Sequence, residues 1–179
     1  CLTVGTGVAF AWIDHQGNLG RRGGFGFILG DQGGGAWLGW RVLQELVCLS
    51  DCNQLDRFHH RLIAALGSGE TANHWMHFAN GAGPRDFAEL ARAVVDSEHD
   101  VPLAAEILTE GLHWLCRLIE DFPRSLPLSL VGGLSTLYAP RLAAFGYQVV
   151  DPEGDALDGL RFIDQHLNHL IVDYWISDA

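Results

Sequence analysis

Three glycine-framed stretches carry the residues whose types and spacing could do chemistry. The first is Gly5-Thr6-Gly7. A turn of small residues presents backbone N–H groups, and a threonine hydroxyl adds a donor, so the turn can cradle a phosphate. The same pattern also serves as a plain tight turn. The second stretch is Arg21–Gly39, RRGGFGFILGDQGGGAWLG, with one carboxylate, Asp31, between glycine clusters. Glycine this dense costs backbone entropy and is kept where φ > 0 or close approach of another group is needed. An acid held there can accept hydrogen bonds from sugar or ribose hydroxyls, and Phe25 can offer a face to a sugar ring. The competing reading has Asp31 capping a helix that begins at Ala36, or filling a turn. The third stretch is Gly132-Gly133, after an apolar strand and before a helix with Ser135 and Thr136 at its start. Nucleotides take that position in open α/β sheets, at the carboxyl ends of strands. It is neither a GxGxxG nor a Walker loop.

Other reactive side chains make weaker patterns. His74 and His77, and His166 and His169, are i, i+3 pairs. Zinc or iron needs three or four converging ligands. HExxH, CxxC and HxH patterns are absent from the sequence, so solvated histidines and no metal site are expected. Cys48 and Cys52 stand at i, i+4 spacing; with Cys1 and Cys116 they read as buried free thiols of a cytoplasmic protein. No GxSxG elbow is present.

The elements that must position these residues follow from periodicity. Residues 1–4, 8–13 and 19–25 read as strands, with a hairpin loop at Asp14–Asn18. Helical spacing runs from Ala36 to about Leu49, through Leu38, Val42, Leu46 and Leu49. Further helices are expected at Leu55–Leu66, Asp86–Val95 and Val101–Phe122, with residues 70–84 irregular between them. Leu126–Val131 reads as a buried strand. Ser135 or Thr136 should cap a helix ending at Gly146, followed by a strand at Tyr147–Val150 and a final helix from Asp155 to about Tyr174. Antiparallel strands followed by parallel crossovers predict an α/β fold, with a mixed five-stranded sheet and helices on both faces.

Bulk properties narrow the class. The chain has 179 residues, 48% of them apolar, and a net charge of −11. Its eleven cations are all arginine and nowhere concentrated. A nucleic-acid partner needs a basic face, so that class is set aside. Apolar runs fall short of the roughly 18–20 residues that span a membrane. The sequence shows no signal peptide and no starting methionine, which reads as the middle or end of something longer.

Taken together, GTG, GGFGFILGDQGGGAWLG and LVGGLS resemble, in order and spacing, the second half of the N-acetylglucosamine kinase and BadF/BadG/BcrA/BcrD-type ATPase family. That family belongs to the sugar kinase, Hsp70 and actin superfamily. Its middle motif is roughly GGxGxxLGDxGSGxxxG, from which this sequence departs at Gly34. The resemblance implies a ribonuclease H-like, actin-like ATPase domain, the C-terminal domain of a two-domain kinase. A helical insertion would span about residues 34–122. It implies that Gly5, Thr6 and Gly7 contact ATP phosphates, that Gly132, Gly133 and Ser135 lie on the adenosine side, and that Gly24, Phe25, Gly26 and Asp31 line an amino-sugar site. ATP and Mg2+ are the implied cofactors, and N-acetylglucosamine or glucosamine the implied substrate. A cytoplasmic, membrane-free protein is implied, with homodimerisation left open. The family usually has Trp at Phe25, and Ser or Ser-Asn where this chain has Val8-Ala9. The family's first phosphate loop and its catalytic aspartate, about twenty residues before GTG, have no counterpart among residues 1–179. The chain alone is therefore expected to be inactive. Two other readings compete. A BadF-type ATPase activator would need interfacial thiolates for an iron–sulfur cluster, with Cys48 and Cys52 the only close pair. A non-catalytic sugar- or nucleotide-binding module would have kept the fold and lost the base.

Overall fold

The computed structural model describes residues 1–14, 16–154, 157, 158 and 161. Five strands form one sheet: β1 (Leu2–Val4), β2 (Val8–Ile13), β3 (Leu19–Gly23), β4 (Pro127–Val131) and β5 (Gln148–Val150). Their order is β3-β2-β1-β4-β5. The pairs β1–β2 and β2–β3 are antiparallel, with Leu2 opposite Phe10 and Phe10 opposite Arg22. The pairs β1–β4 and β4–β5 are parallel. The mixed sheet is therefore as expected. The β2–β3 turn closes because the Asp14 carboxylate accepts from the N–H groups of Gln16 and Asn18, at 2.8 and 2.9 Å.

Five helices lie between β3 and β4: α1 (Gly35–Asp51), α2 (Arg57–Leu66), α3 (Ala72–Gly81), α4 (Pro84–Asp96) and α5 (Pro102–Leu118). The sixth, α6 (Ser135–Ala144), joins β4 to β5. The apolar stripe Leu38, Val42, Leu46 of α1 is fully buried against α4 and α5. A second core joins the sheet to α5 and α6. Leu2, Val4, Val8, Phe10, Leu128 and Leu130 pack there on Leu112, Leu115, Tyr138 and Leu142. All six strand side chains occupy one face, as period-two alternation requires. On the other face Thr3 and Ala11 are exposed, and Ala9, Ser129 and Val131 are half-buried. Helices were expected on both faces; among the described residues they cover one. The expected final helix, Asp155 to about Tyr174, lies outside the described residues apart from isolated positions.

Three local expectations need correction. Residues 70–84 are not irregular, because α3 occupies most of them. Thr71 caps it by accepting from the His74 N–H, and Trp75 buries its ring while its Nε1–H donates to the Gly69 carbonyl at 2.9 Å. Helix α5 stops at Leu118 rather than Phe122. Ile119 leaves the helical conformation to bury its side chain in the sheet core, and Arg22 donates to the Leu118 carbonyl at 3.3 Å. Neither Ser135 nor Thr136 caps α6: the cap residue is Leu134, with no side-chain hydrogen bond, and its N–H donates to the Val4 carbonyl.

Candidate functional site

The chain reverses sharply between β1 and β2, and Gly5-Thr6-Gly7 is that reversal. The Gly5 N–H donates to the Gly7 carbonyl at 3.0 Å. The N–H groups of Thr6 and Gly7 make no hydrogen bond to any described residue. Two consecutive free donors beside an exposed threonine suit an anion.

The turn is held from behind by the glycine-rich loop. Gly35 and Ala36, opening α1, donate to the carbonyls of Gly5 and Thr6 at 2.7 and 2.9 Å. These bonds satisfy helix donors that have no partner within the helix. They also turn both carbonyls away from any ligand of the free N–H groups. Asp31 does not cap α1; the cap residue is Gly34, which has no side chain to bond. Instead the Asp31 carboxylate accepts from the Val8 N–H at 2.9 Å. Its backbone is left-handed, with φ of 64°, a conformation that Asp and Asn enter more readily than other non-glycine residues. The carboxylate lies flat on the turn: a Cβ on Gly7 would stand 2.5 Å from Oδ2. Glycine at position 7 is thus required for the acid to reach the turn. Oδ2 has no described partner and keeps its acceptor capacity.

Gly132 ends β4 beside the same turn. It has φ of 104°, and a Cβ on it would meet the Val4 carbonyl oxygen at 2.5 Å. Gly133 lies against Gly5: its nitrogen would be 4.0 Å from a Cβ placed there.

Three cavities follow the carboxyl ends of the parallel strands. The first, about 800 Å3, is lined by Gly132, Ser135, Thr136 and the 150–154 turn. The second, about 300 Å3, lies over Gly5, Thr6 and Gly7 and includes Gly24, Gly26 and Asp31. The third, about 310 Å3, lies beyond Asp31, with Phe25, Gln32, Trp114 and Arg117. Thr3 borders the first two, and Val8 and Asp31 border the last two. The three adjoin in that order, and the middle one is lined by Thr6 and Gly7. Another cavity, about 540 Å3, sits near Trp12, Asp14 and Arg22, away from those donors.

All ten sequence-predicted site residues therefore fall at this end of the sheet, past the carboxyl ends of β1, β3 and β4. Phe25 is 65% exposed and lines the third cavity. Sequence reasoning missed Gln32, Trp114 and Arg117. Gln32 was adjacent to Asp31 and could have been found; Trp114 and Arg117 carry no local signal, because α5 brings them in from far along the chain.

The thiols differ from expectation. Cys1, Cys48 and Cys52 are exposed and Cys116 is half-buried. Cys48 falls on the outer side of α1, opposite its apolar stripe, and neighbouring Cys52 chiefly pushes its thiol pKa up. No group of three metal-ligating side chains occurs among the described residues, and no helix among them is long and apolar enough to cross a membrane.

No family model and no curated protein matches the chain. Solved structures do. One, from Chromobacterium violaceum and provisionally named an N-acetylglucosamine kinase, is similar with a TM-score of 0.77 and 28% identity, over 88% of this chain and 56% of that one. Another, from Porphyromonas gingivalis with the same provisional name, is similar in fold, with a TM-score of 0.67 and 16% identity over 93% of this chain and 60% of that one. The chain thus spans less than two thirds of either neighbour. These likenesses are consistent with a relationship to the N-acetylglucosamine kinase and BadF-type group.

Proposed function

We propose that the full-length protein transfers the γ-phosphoryl group of ATP to a hydroxyl of an amino sugar, N-acetylglucosamine or glucosamine. In this reading residues 1–179 are a ribonuclease H-like, actin-like ATPase domain with its helical insertion at about residues 34–122. A preceding domain would supply the first phosphate loop and the catalytic base. The protein would be cytoplasmic, and a homodimer is compatible with it.

The observation that carries the reading is the GTG turn itself, with two free N–H groups facing a cavity and both flanking carbonyls tied back to α1. Gly5, Thr6 and Gly7 would hold phosphate oxygens. Gly132, Gly133 and Ser135 would border the adenosine, in the larger cavity at the ends of β4 and β5. A carboxylate beside an anion cradle repels a second anion and attracts a donor. Asp31 Oδ2 would accordingly accept from a sugar hydroxyl, with Gly24 and Gly26 leaving room and Phe25 packing on the ring. Mg2+ keeps several waters and usually binds one or two carboxylates plus substrate phosphates, so it needs no dedicated cage in this chain. Bound to the nucleotide, it would neutralise charge on the transferring group. In-line transfer also needs a positioned hydroxyl and a base, which one half of a cleft does not provide.

The test assays the full-length protein and the 179-residue chain for ATP-dependent phosphorylation of both amino sugars. Turnover is expected from the full-length protein alone. Turnover by the isolated chain would contradict the two-domain reading.

A further inference from the structure

We propose that Trp114 on α5 is a sugar-binding residue that packs against the sugar ring in the cavity beyond Asp31. The proposal rests on the amino-sugar reading and adds a wall to it.

The cavity, about 310 Å3, is on the scale of a monosaccharide. One side carries Phe25 and Leu29, 65% and 78% exposed. Adjacent large apolar groups left in water commonly mark a binding surface. Trp114 is half-buried and lines the same cavity from α5. The Arg117 guanidinium sits 4.6 Å from its ring centre. That stack restrains the indole and leaves the guanidinium donors unbound by any described carboxylate. Asp31 and Gln32 add an acceptor and an amide at the same cavity. Aromatic faces suit the apolar C–H face of a pyranose, while a carboxylate, an amide and a guanidinium suit its hydroxyls and acyl oxygen.

The position of Trp114 relative to Asp31 is fixed by packing. Gly33 lies against the Gly111 carbonyl so closely that a Cβ on Gly33 would stand 2.8 Å from it. The acid loop therefore rests on α5 one turn before Trp114. Sliding α5 would move the indole and the carboxylate together.

Calorimetric titration of the full-length protein with N-acetylglucosamine and with glucosamine, and separately with ADP, tests this. Trp114→Ala should weaken sugar binding about tenfold, the loss of one good aromatic contact. Trp114→Phe should stay within about threefold of wild type, and ADP binding should not change in either. If Trp114→Ala fails to fold, Trp114→Leu keeps apolar bulk without an aromatic face and should show the same sugar loss. Wild-type sugar affinity in the Ala or Leu variant overturns the proposal. If Asp31→Asn weakens sugar binding while Trp114→Ala does not, the amino-sugar reading stands and the Trp114 assignment falls. If the wild-type protein binds neither amino sugar, both fall together.

Discussion

At Asp31 two demands meet on one side chain. One carboxylate oxygen holds the Val8 N–H and so shapes the Gly5–Gly7 turn, and the other has no described partner. Substitutions can separate these roles. Asp31→Asn keeps a side-chain acceptor and tolerates φ of 64°. It should fold normally and weaken sugar binding, leaving nucleotide binding nearly intact. Asp31→Ala strands the Val8 N–H and places alanine in a left-handed conformation. It should cost about 2–4 kcal/mol and weaken both ligands, read by urea unfolding and calorimetry. Equal losses of both ligands in Asp31→Asn would make the acid purely structural. Tyr138 offers a second test at this scale. Its hydroxyl is buried without a described partner, and desolvation pushes its pKa well above the ordinary 10.0, so it stays neutral. Tyr138→Phe should therefore be neutral or stabilise by up to about 1 kcal/mol in urea unfolding. A clear loss would mean that the hydroxyl is bonded. The motif residues were legible because glycine and lone acids are conspicuous in sequence. The clamp from Asp31 to Val8 was not, because it links positions 23 residues apart and depends on how the glycine loop folds back over the strand turn.

Among the elements, legibility followed the strength of the periodic signal. Strand β2 was read to the residue, and α1, α2 and α4 to within two residues of each end. Helix α3 was missed because its stripe, Ala72, Trp75, Met76 and Ala79, is short and set among glycines and polar residues, and Trp75 is its one buried residue. One tryptophan anchors it, so Trp75→Ala should cost about 3–5 kcal/mol and lower the thermal midpoint. Two short polar devices make a pH prediction. The Asn18 side chain holds the Asp14 carboxyl below its ordinary 3.8, and the His59 backbone N–H does the same for Asp56, the cap of α2. A carboxyl with a lowered folded pKa contributes stability that is complete above the unfolded value. That contribution is lost as pH falls through the lowered folded value. Stability should therefore hold down to about pH 4 and then decline. Asp56→Asn should flatten that decline; an unchanged acid limb would show that the cap charge is irrelevant.

For the whole molecule, the sheet order placed the three motifs at one end of the sheet, which their separation along the chain concealed. Parallel pairing of β1 with β4 brings Gly132 to the GTG turn, and α1 begins where it can hold that turn from behind. The one-sided helical cover was not legible, since alternation in a short strand says which residues alternate but not what covers each face. The chain covers 56% and 60% of its two kinase-named neighbours, and in the proposed two-domain reading the cleft's other wall lies outside residues 1–179. The most direct measurement follows product formation by the full-length protein with Mg-ATP and N-acetylglucosamine or glucosamine, reading sugar phosphate and ADP together. If the full-length protein is an amino-sugar kinase, sugar phosphate forms in equal amount to ADP, and Asp31→Asn raises the KM for the sugar far more than that for ATP. ADP release without sugar phosphate from either amino sugar would contradict it.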